Sequence, residues 1–131
     1  MTGFKTSARS RNNLREVHPD LIAVTLLALY HFTDIDFAVT EGRRTVERQR
    51  ELIAAGKSQT MSSKHLIQSD GFAHAVDLAP WVNGTIPWDD WAAFERVAKA
   101  MKAAAGMLGV EITWGGDWTT LKDGPHFQLG G

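Results

Sequence analysis

The sequence predicts an α+β domain in which helices pack with a small antiparallel sheet. Its 131 residues are enough for one compact domain and too few for two of ordinary size. Hydrophobic residues make up 44% and charged residues 22%, as in an average globular protein, which excludes disordered and fibrous chains. Helix-like and strand-like segments follow one another in mixed order, without an internal repeat or a linker, and this order favours the α+β class.

The first half of the chain predicts two helices and one strand. The first ten residues are polar, and we expect them to be loose. Apolar side chains nearly encircle a helix over residues 21–30, which predicts a buried helix with Pro19 at an early position, where its missing N–H costs little. Alternating apolar and polar residues predict a strand over 35–40, and a mixed pattern over 45–55 predicts an exposed amphipathic helix.

The second half predicts a long loop, a strong helix and the rest of the sheet. Residues 57–71 are rich in Ser, Gln and Gly and show no period, so we expect a loop, and loops of this length are usually functional or mobile. Asp89 and Asp90 begin a helix that runs to about Leu108, where Gly109 stops it. The remaining strands are expected at residues 73–78, 110–114 and 126–129.

Charge and cysteine content exclude several classes of function. The 14 Lys and Arg residues against 15 Asp and Glu give a formal net charge of −1, whereas nucleic-acid binders usually carry a basic surplus. The absence of cysteine excludes a disulfide scaffold, a cysteine-ligated zinc finger and a cysteine nucleophile. No apolar run follows the N-terminus, and the apolar stretch over 21–30 is too short to span a bilayer. We therefore expect synthesis in the cytoplasm without a signal peptide.

Histidines and carboxylates in the second half suggest a metal site. Two imidazoles and a carboxylate are a common ligand set for catalytic zinc, which lowers the pKa of its bound water to ~7. On an unbroken strand His74 and Asp77 face opposite ways, whereas His65, in the preceding loop, has no such restriction, so we prefer His65. A second carboxylate is needed to accept a proton. Asp123 precedes His126 by three residues across a Gly-Pro pair, which allows both side chains to reach one site.

Five short segments, taken together, resemble those of a known peptidase family. They are Glu41–Thr45, Ser63–His65, Ala75–Asp77, Trp114–Trp118 and Asp123–Phe127. The set is similar to that of zinc peptidases of the D-alanyl-D-alanine carboxypeptidase type, whose pattern is S-x-H-x-x-G-x-A-x-D followed by a late D/E-x-x-H. The resemblance is strongest to small phage endolysins of that group, the L-alanyl-D-glutamate endopeptidases, and it runs from about Val17 to Leu129.

The resemblance implies a metal site and two catalytic residues. It places one zinc ion on His65, Asp77 and His126, with Asp123 as the general base. Arg44 matches the arginine expected to polarise the scissile carbonyl and to hold the oxyanion, where a charged donor meets developing negative charge. The implied fold is the LAS-type, or Hedgehog-like, peptidase fold, with the zinc site at the sheet.

One spacing departs from the family pattern. The family's first histidine comes seven positions before its aspartate, whereas His65 comes twelve before Asp77. An insertion around residues 68–72 is the simplest explanation. His74 therefore remains an alternative first ligand.

The function implied by the resemblance is hydrolysis of the bacterial cell wall. We expect a zinc-dependent endopeptidase that cuts the peptide stems of peptidoglycan between L-Ala and D-Glu, as a phage endolysin in host cell lysis. The alternatives are a D-alanyl-D-alanine carboxypeptidase or dipeptidase on the same fold, and a non-catalytic cell-wall binding module. Residues 1–131 are expected to form a single, monomeric catalytic domain with no separate wall-binding domain, no membrane insertion and no nucleic-acid partner. Holes made by another protein would release it to the wall.

Other polar residues have ordinary structural explanations. His18 and His31 are expected at the surface or in hydrogen bonds. Glu41 is interpreted as a solvated charge, and Asp117 as a turn or salt-bridge residue. An aromatic face suits an extended substrate. The tryptophans considered for such a groove are Trp81, Trp114 and Trp118.

Overall fold

The computed structural model describes residues 1–58 and 60–130 and has the predicted α+β architecture. The four strands are β1 (Phe37–Glu41), β2 (Ala75–Pro80), β3 (Ile112–Trp114) and β4 (His126–Leu129). They form one antiparallel sheet in the order β1-β2-β4-β3. β2 and β4 are therefore the central strands, and β1 and β3 lie at the edges.

Four α-helices surround the sheet, and their ends follow from local sequence. They are α1 (Ala8–Asn13), α2 (Pro19–Leu27, continued by one π-helical turn over Ala28–Phe32), α3 (Val46–Ala54) and α4 (Trp91–Leu108). The side chains of Ser7, Thr45 and Asp90 each accept a hydrogen bond from a backbone N–H of the helix that follows. Gly109 ends α4 in the left-handed conformation that glycine tolerates best. Among the helices of the described residues, none is both long and apolar enough to cross a membrane.

The hydrophobic core lies between the helices and one face of the sheet. Val97 of α4 and Val76 and Leu78 of β2 are fully buried and belong to one cluster that also includes residues of α2. Alternation along β2 directs Asp77 to the face opposite Val76 and Leu78. α2 and α4 thus cover the apolar face, and the polar face of the sheet is available for a site.

The N-terminal segment is ordered, so the expectation of ten loose residues is wrong. α1 lies beside the edge strand β1 and satisfies its backbone. Oγ of Ser10 accepts a hydrogen bond from the Val39 N–H at 3.0 Å, and Nδ2 of Asn13 donates to the Val39 carbonyl at 2.8 Å. Edge strands present unpaired backbone groups, and polar side chains are suited to cover them. The polar side chains of this segment therefore form hydrogen bonds with the backbone of the edge strand.

Strand boundaries differ from the prediction where backbone groups have other partners. β2 begins at Ala75, because Ala73 is bonded through its N–H and its carbonyl to the segment before α2. β3 begins at Ile112, because the Val110 N–H bonds back to the Ala105 carbonyl at 3.0 Å and completes the end of α4. Of the predicted loop over 57–71, the described residues form one isolated bridge, at Ile67, and no helix or strand. Residue 59 lies outside the described residues.

Replacing Ser10 with alanine tests the contact between α1 and the sheet. The change leaves the buried Val39 N–H without an acceptor, so we expect the free energy of unfolding to fall by about 1–3 kcal/mol. Urea unfolding followed by tryptophan fluorescence measures the change. Arg9→Ala, at an exposed position of the same helix, is the control and should alter stability by less than about 0.5 kcal/mol. Equal stability of S10A and the parent would contradict the role of α1.

Candidate metal centre

Strand register brings two of the predicted ligands together. Asp77 of β2 pairs directly with His126 of β4, and Glu41 of β1 pairs with Asp77 on its other side. Directly opposite residues of antiparallel strands are close neighbours, so Asp77 and His126 meet side by side. An irregularity between Val39 and Glu41 shifts the register of β1 and puts Glu41, rather than Thr40, opposite Asp77.

His65 reaches these residues from the loop before β2. The Arg44 N–H donates to the His65 carbonyl at 2.7 Å, which ties this loop to the segment after β1. The imidazole is 3% exposed, and its Nδ1–H donates to the Gly42 carbonyl at 2.8 Å. In the neutral ring this bond leaves the lone pair on Nε2, and in the protonated ring Nε2–H donates to Oδ1 of Asp77 at 3.1 Å.

A tight turn explains how His65 lies beside Asp77 although twelve residues separate them. Ile67 and Ala73 form an antiparallel bridge at the base of the turn. Between them the chain doubles back over residues 68–72, the segment that the sequence suggested as an insertion. The ends of the turn remain together, so its extra residues do not separate the two ligands.

The three side chains offer the donor set of a zinc site, and the distances from the two imidazoles to Asp77 match its dimensions. Nε2 of His65 and Nδ1 of His126 lie 3.1 and 3.5 Å from Oδ1 of Asp77, and the three ligand atoms lie within 4.8 Å of one another. Two ligands of a tetrahedral zinc ion, with bonds of about 2.0–2.1 Å, lie about 3.3 Å apart. Nε2 of His126 is 2.9 Å from Oε1 of Gln128 and donates to it, which leaves the lone pair of the neutral ring on Nδ1.

The electrostatics of the group favour a bound cation. Burial would raise the pKa of Asp77, but hydrogen bonds from His126 and His65, together with their positive charge, hold it far below its usual range. Burial would lower the pKa of His126, but hydrogen bonds to Asp77 and Gln128 and the Asp77 charge raise it. The ionised carboxylate thus attracts positive charge to this point, where a metal cation is able to replace a proton.

Asp123 lies at the same site, in the turn that leads into β4. Its N–H donates to the Gly115 carbonyl at 3.0 Å, and the His126 N–H donates to the Asp123 carbonyl at 3.2 Å. This close approach requires glycine at position 115, because a Cβ there would overlap the Asp123 carbonyl oxygen. Burial and the negative charge of Asp77 raise the pKa of Asp123, a shift that is typical of carboxylates in proton transfer.

Arg44 is held at the edge of the site by three side chains. Its Nε donates to Oε1 of Glu41 at 2.6 Å, and Nη2 contacts the same oxygen. Nη1 donates to Oε1 of Gln49 at 2.8 Å and to Oγ of Ser63 at 3.5 Å. The interpretation of Glu41 as a solvated charge is therefore wrong, because Glu41 is the ion-pair partner of Arg44.

A cleft of about 680 Å³ joins the predicted site residues. Its lining includes Arg44, His65, Asp77, Asp123 and His126. Trp118 lines it too, with its ring 5.2 Å from the ring of His126. Trp114 is a core residue, 6% exposed. Trp118 is therefore the tryptophan whose predicted position beside a groove agrees with the structure.

Asp117 makes the expected salt bridge, with Lys102 at 2.7 Å.

His74, the alternative first ligand, belongs to a different cluster. Its Nε2 is 2.7 Å from Oδ2 of Asp70, in the tight turn. His18 lies beside His74, with ring centroids 5.3 Å apart, and its Nδ1 accepts a hydrogen bond from the Asp20 N–H. His18 thus caps α2, as expected for a hydrogen-bonded histidine. The histidine that the fold brings to the site is His65.

The roles of three supporting side chains were not predicted from the sequence. Glu41 and Gln49 hold Arg44, and Gln128 holds His126. Gln128 could have been found from the sequence, because it follows His126 by two residues, and residues two apart on a strand share a face. Gln49 could not have been found in this way, because charged residues precede and follow it in a helix that is mostly exposed.

Comparison with known proteins gives a consistent result. The chain matches the family described as phage L-alanyl-D-glutamate peptidase over residues 2–129. It is 36% identical over 123 residues to the L-alanyl-D-glutamate peptidase of Escherichia phage T5, covering 92% of this chain and 85% of that protein. It is 31% identical over 111 residues to the peptidoglycan L-alanyl-D-glutamate endopeptidase CwlK of Bacillus subtilis, covering 72% of this chain and 61% of that protein.

A solved structure extends this similarity to three dimensions. The Serratia marcescens L-Ala D-Glu endopeptidase ChiX superposes with a TM-score of 0.86 and 46% sequence identity. The match covers 97% of this chain and 90% of that one. The predicted fold is therefore confirmed over nearly the whole chain.

Metal content after alanine substitution tests the ligand set. We expect the parent, after dialysis against Zn²⁺ and gel filtration, to retain about one zinc ion per chain. Variants His65→Ala, Asp77→Ala and His126→Ala each remove one ligand atom and should lose most of it, as measured by plasma mass spectrometry. His74→Ala is the control and should retain zinc. Full zinc retention by H126A, or its loss in H74A, would contradict the assignment.

Proposed function

This chain belongs to the phage L-alanyl-D-glutamate peptidase family, and we propose that it is a zinc-dependent peptidase that cuts the peptide stems of bacterial peptidoglycan. The bond we assign is the one between L-Ala and D-Glu, for which its relatives are named. The observation that carries the proposal is a His65–Asp77–His126 group with a further carboxylate, Asp123, in the same cleft. A binding module would have no need of that carboxylate.

The proposed zinc ligands are His65, Asp77 and His126. Two imidazoles and a carboxylate are typical of catalytic zinc, which keeps a coordination position for water or substrate. Zinc bound there would polarise the scissile carbonyl and lower the pKa of water. The chain's own contribution is orientation, because Gly42 and Gln128 each fix one imidazole through the nitrogen that faces away from Asp77.

We assign the proton transfers to Asp123. Its carboxylate accepts a proton from the attacking water and then donates it to the amine of D-Glu as the peptide bond breaks. Because burial raises the pKa of Asp123, this carboxylate is suited to hold the proton between the two steps. The turn that joins Asp123 to His126 keeps base and ligand together.

Arg44 is proposed to stabilise the oxyanion. A guanidinium has five N–H groups, and the contacts with Glu41, Gln49 and Ser63 use four of them. Among the contacts of the described residues, one N–H of Nη2 therefore remains for the scissile carbonyl oxygen. Negative charge develops on this oxygen as water attacks, and a charge-assisted donor stabilises it most at that stage.

The proposed place of action is the cell wall, where peptidoglycan lies. A chain made in the cytoplasm must first pass the cytoplasmic membrane. We propose release through holes formed by a second, holin-type protein, as the resemblance to phage endolysins implies.

Digestion of purified peptidoglycan tests the assigned bond. We expect new D-Glu amino termini in mass spectra of the products, their absence in the presence of a zinc chelator and their return when Zn²⁺ is added. Release of free D-Ala instead would move the reaction to the end of the stem and contradict the assigned bond. A zinc-loaded chain that yields no product would contradict the peptidase proposal itself.

Asp123→Asn tests the general base. The amide keeps the size of the side chain but cannot accept the proton, so kcat should fall by about 10²–10⁴-fold while zinc content stays that of the parent. Asp89→Asn, at an exposed position, is the control and should leave kcat unchanged. Turnover by D123N equal to that of the parent would remove Asp123 from the mechanism.

A further inference from the structure

The inward-facing residue of α3 is a glutamine. All nine residues of α3 are described, and Gln49 is the buried one among them, at 0% exposure. Of the apolar residues in the predicted amphipathic pattern, Val46 and Ile53 are 43% and 36% exposed, and Leu52 is half-buried. A buried amide is costly unless each of its polar atoms is hydrogen-bonded. The partners of Gln49 therefore indicate why it occupies this position.

Both ends of the Gln49 amide are bonded, to two different parts of the cleft. Oε1 accepts a hydrogen bond from Nη1 of Arg44 at 2.8 Å. Nε2 donates to Oγ of Ser58 at 2.8 Å and to the Thr60 carbonyl at 2.5 Å. Ser58 and Thr60 belong to the loop that lines the cleft beside Arg44. One buried side chain thus links the guanidinium to the neighbouring loop.

Glu41 and Gln49 hold the guanidinium of Arg44 in different ways. Glu41 contacts the guanidinium through a single oxygen, which receives both Nε and Nη2. Gln49 holds Nη1, on the other side of the guanidinium carbon, and so fixes the plane in which the remaining N–H lies. The amide itself is fixed by Ser58 and Thr60, so its oxygen has little freedom to follow a displaced arginine.

We infer that Gln49 is a positioning residue for the reaction: it sets the orientation of Arg44 toward the substrate carbonyl and anchors the loop at Ser58 and Thr60 to the same point. The inference rests on the oxyanion role proposed for Arg44. It extends that role to a residue that bonds none of the proposed metal ligands and is not among the residues that line the cleft. A small misplacement of a catalytic group is enough to lower a rate by about 10²-fold.

A double-mutant cycle tests whether Gln49 acts through Arg44. On a soluble stem peptide, Gln49→Met should lower kcat by on the order of 10–100-fold, with zinc content equal to that of the parent and little change in KM. Adding Gln49→Met to Arg44→Met should cost less than about 3-fold more than Arg44→Met alone, because a residue that acts through another has no separate effect. Multiplication of the two losses, or parental kcat in Q49M, would overturn the inference.

Hydrogen exchange over residues 57–63 gives a readout that does not depend on activity. Gln49→Met and Gln49→Glu both remove the donors to Ser58 and Thr60, so exchange should become faster in both. Gln49→Glu keeps an acceptor for Arg44 and should retain more of kcat than Gln49→Met. If the melting temperature of Q49M is far below that of the parent, the test is made with Q49E instead. Arg50→Met, an exposed position of α3, is the control and should change neither property.

The outcomes separate this inference from the proposed function. A zinc-loaded parent that cleaves no stem peptide would contradict the proposed function. The hydrogen-exchange rates would still show whether Gln49 holds the loop at Ser58 and Thr60. Unchanged exchange in both Gln49 variants would overturn that link even in an active enzyme. A smaller kcat for Q49E than for Q49M would overturn the role of the Oε1 contact.

Discussion

The carboxylate of Asp77, placed between two imidazoles, is the interaction on which the rest of the structure depends. A largely buried negative charge is unstable unless cationic or hydrogen-bonding groups surround it. Here the register of β2 against β4 supplies His126, and a loop fixed to the segment after β1 supplies His65. The outer nitrogens of both rings have acceptors of their own, Gly42 and Gln128, so both rings are fixed in their orientation toward the carboxylate.

The two sides of the cleft are built in different ways, and this difference matches the work proposed for them. Asp123 is fixed by backbone contacts in a turn packed on Gly115, where no larger residue fits. Arg44 is fixed by side chains, Glu41 and Gln49, that come from a strand and a helix. A short carboxylate is positioned well by its backbone, whereas a long guanidinium needs partners at its far end.

The ligand chemistry could be predicted from the sequence because few residue types bind zinc and their order along the chain is distinctive. The main helices were also predictable, since their caps and periodicity are local. The ordered N-terminus and the buried Gln49 were not, because each depends on partners outside its own helix: Ser10 on Val39 of the sheet, and Gln49 on Arg44 and on the loop at Ser58 and Thr60. Polar residues with such partners have the same local pattern as polar residues in solvent.

The tight turn over residues 68–72 means that distance along the chain and distance in space are independent at this site. The base of the turn is closed by the bridge between Ile67 and Ala73, and Gln68 donates hydrogen bonds to the carbonyls of Ser63 and Leu66, on either side of His65. Residues added beyond Gln68 therefore lengthen the outer part of the turn. A pattern search that demands a fixed interval between the histidine and the aspartate would overlook chains of this kind. The outer residues of the same turn offer protein engineers a position for a peptide tag or a fused wall-binding module, attached beyond the bridge that closes the turn.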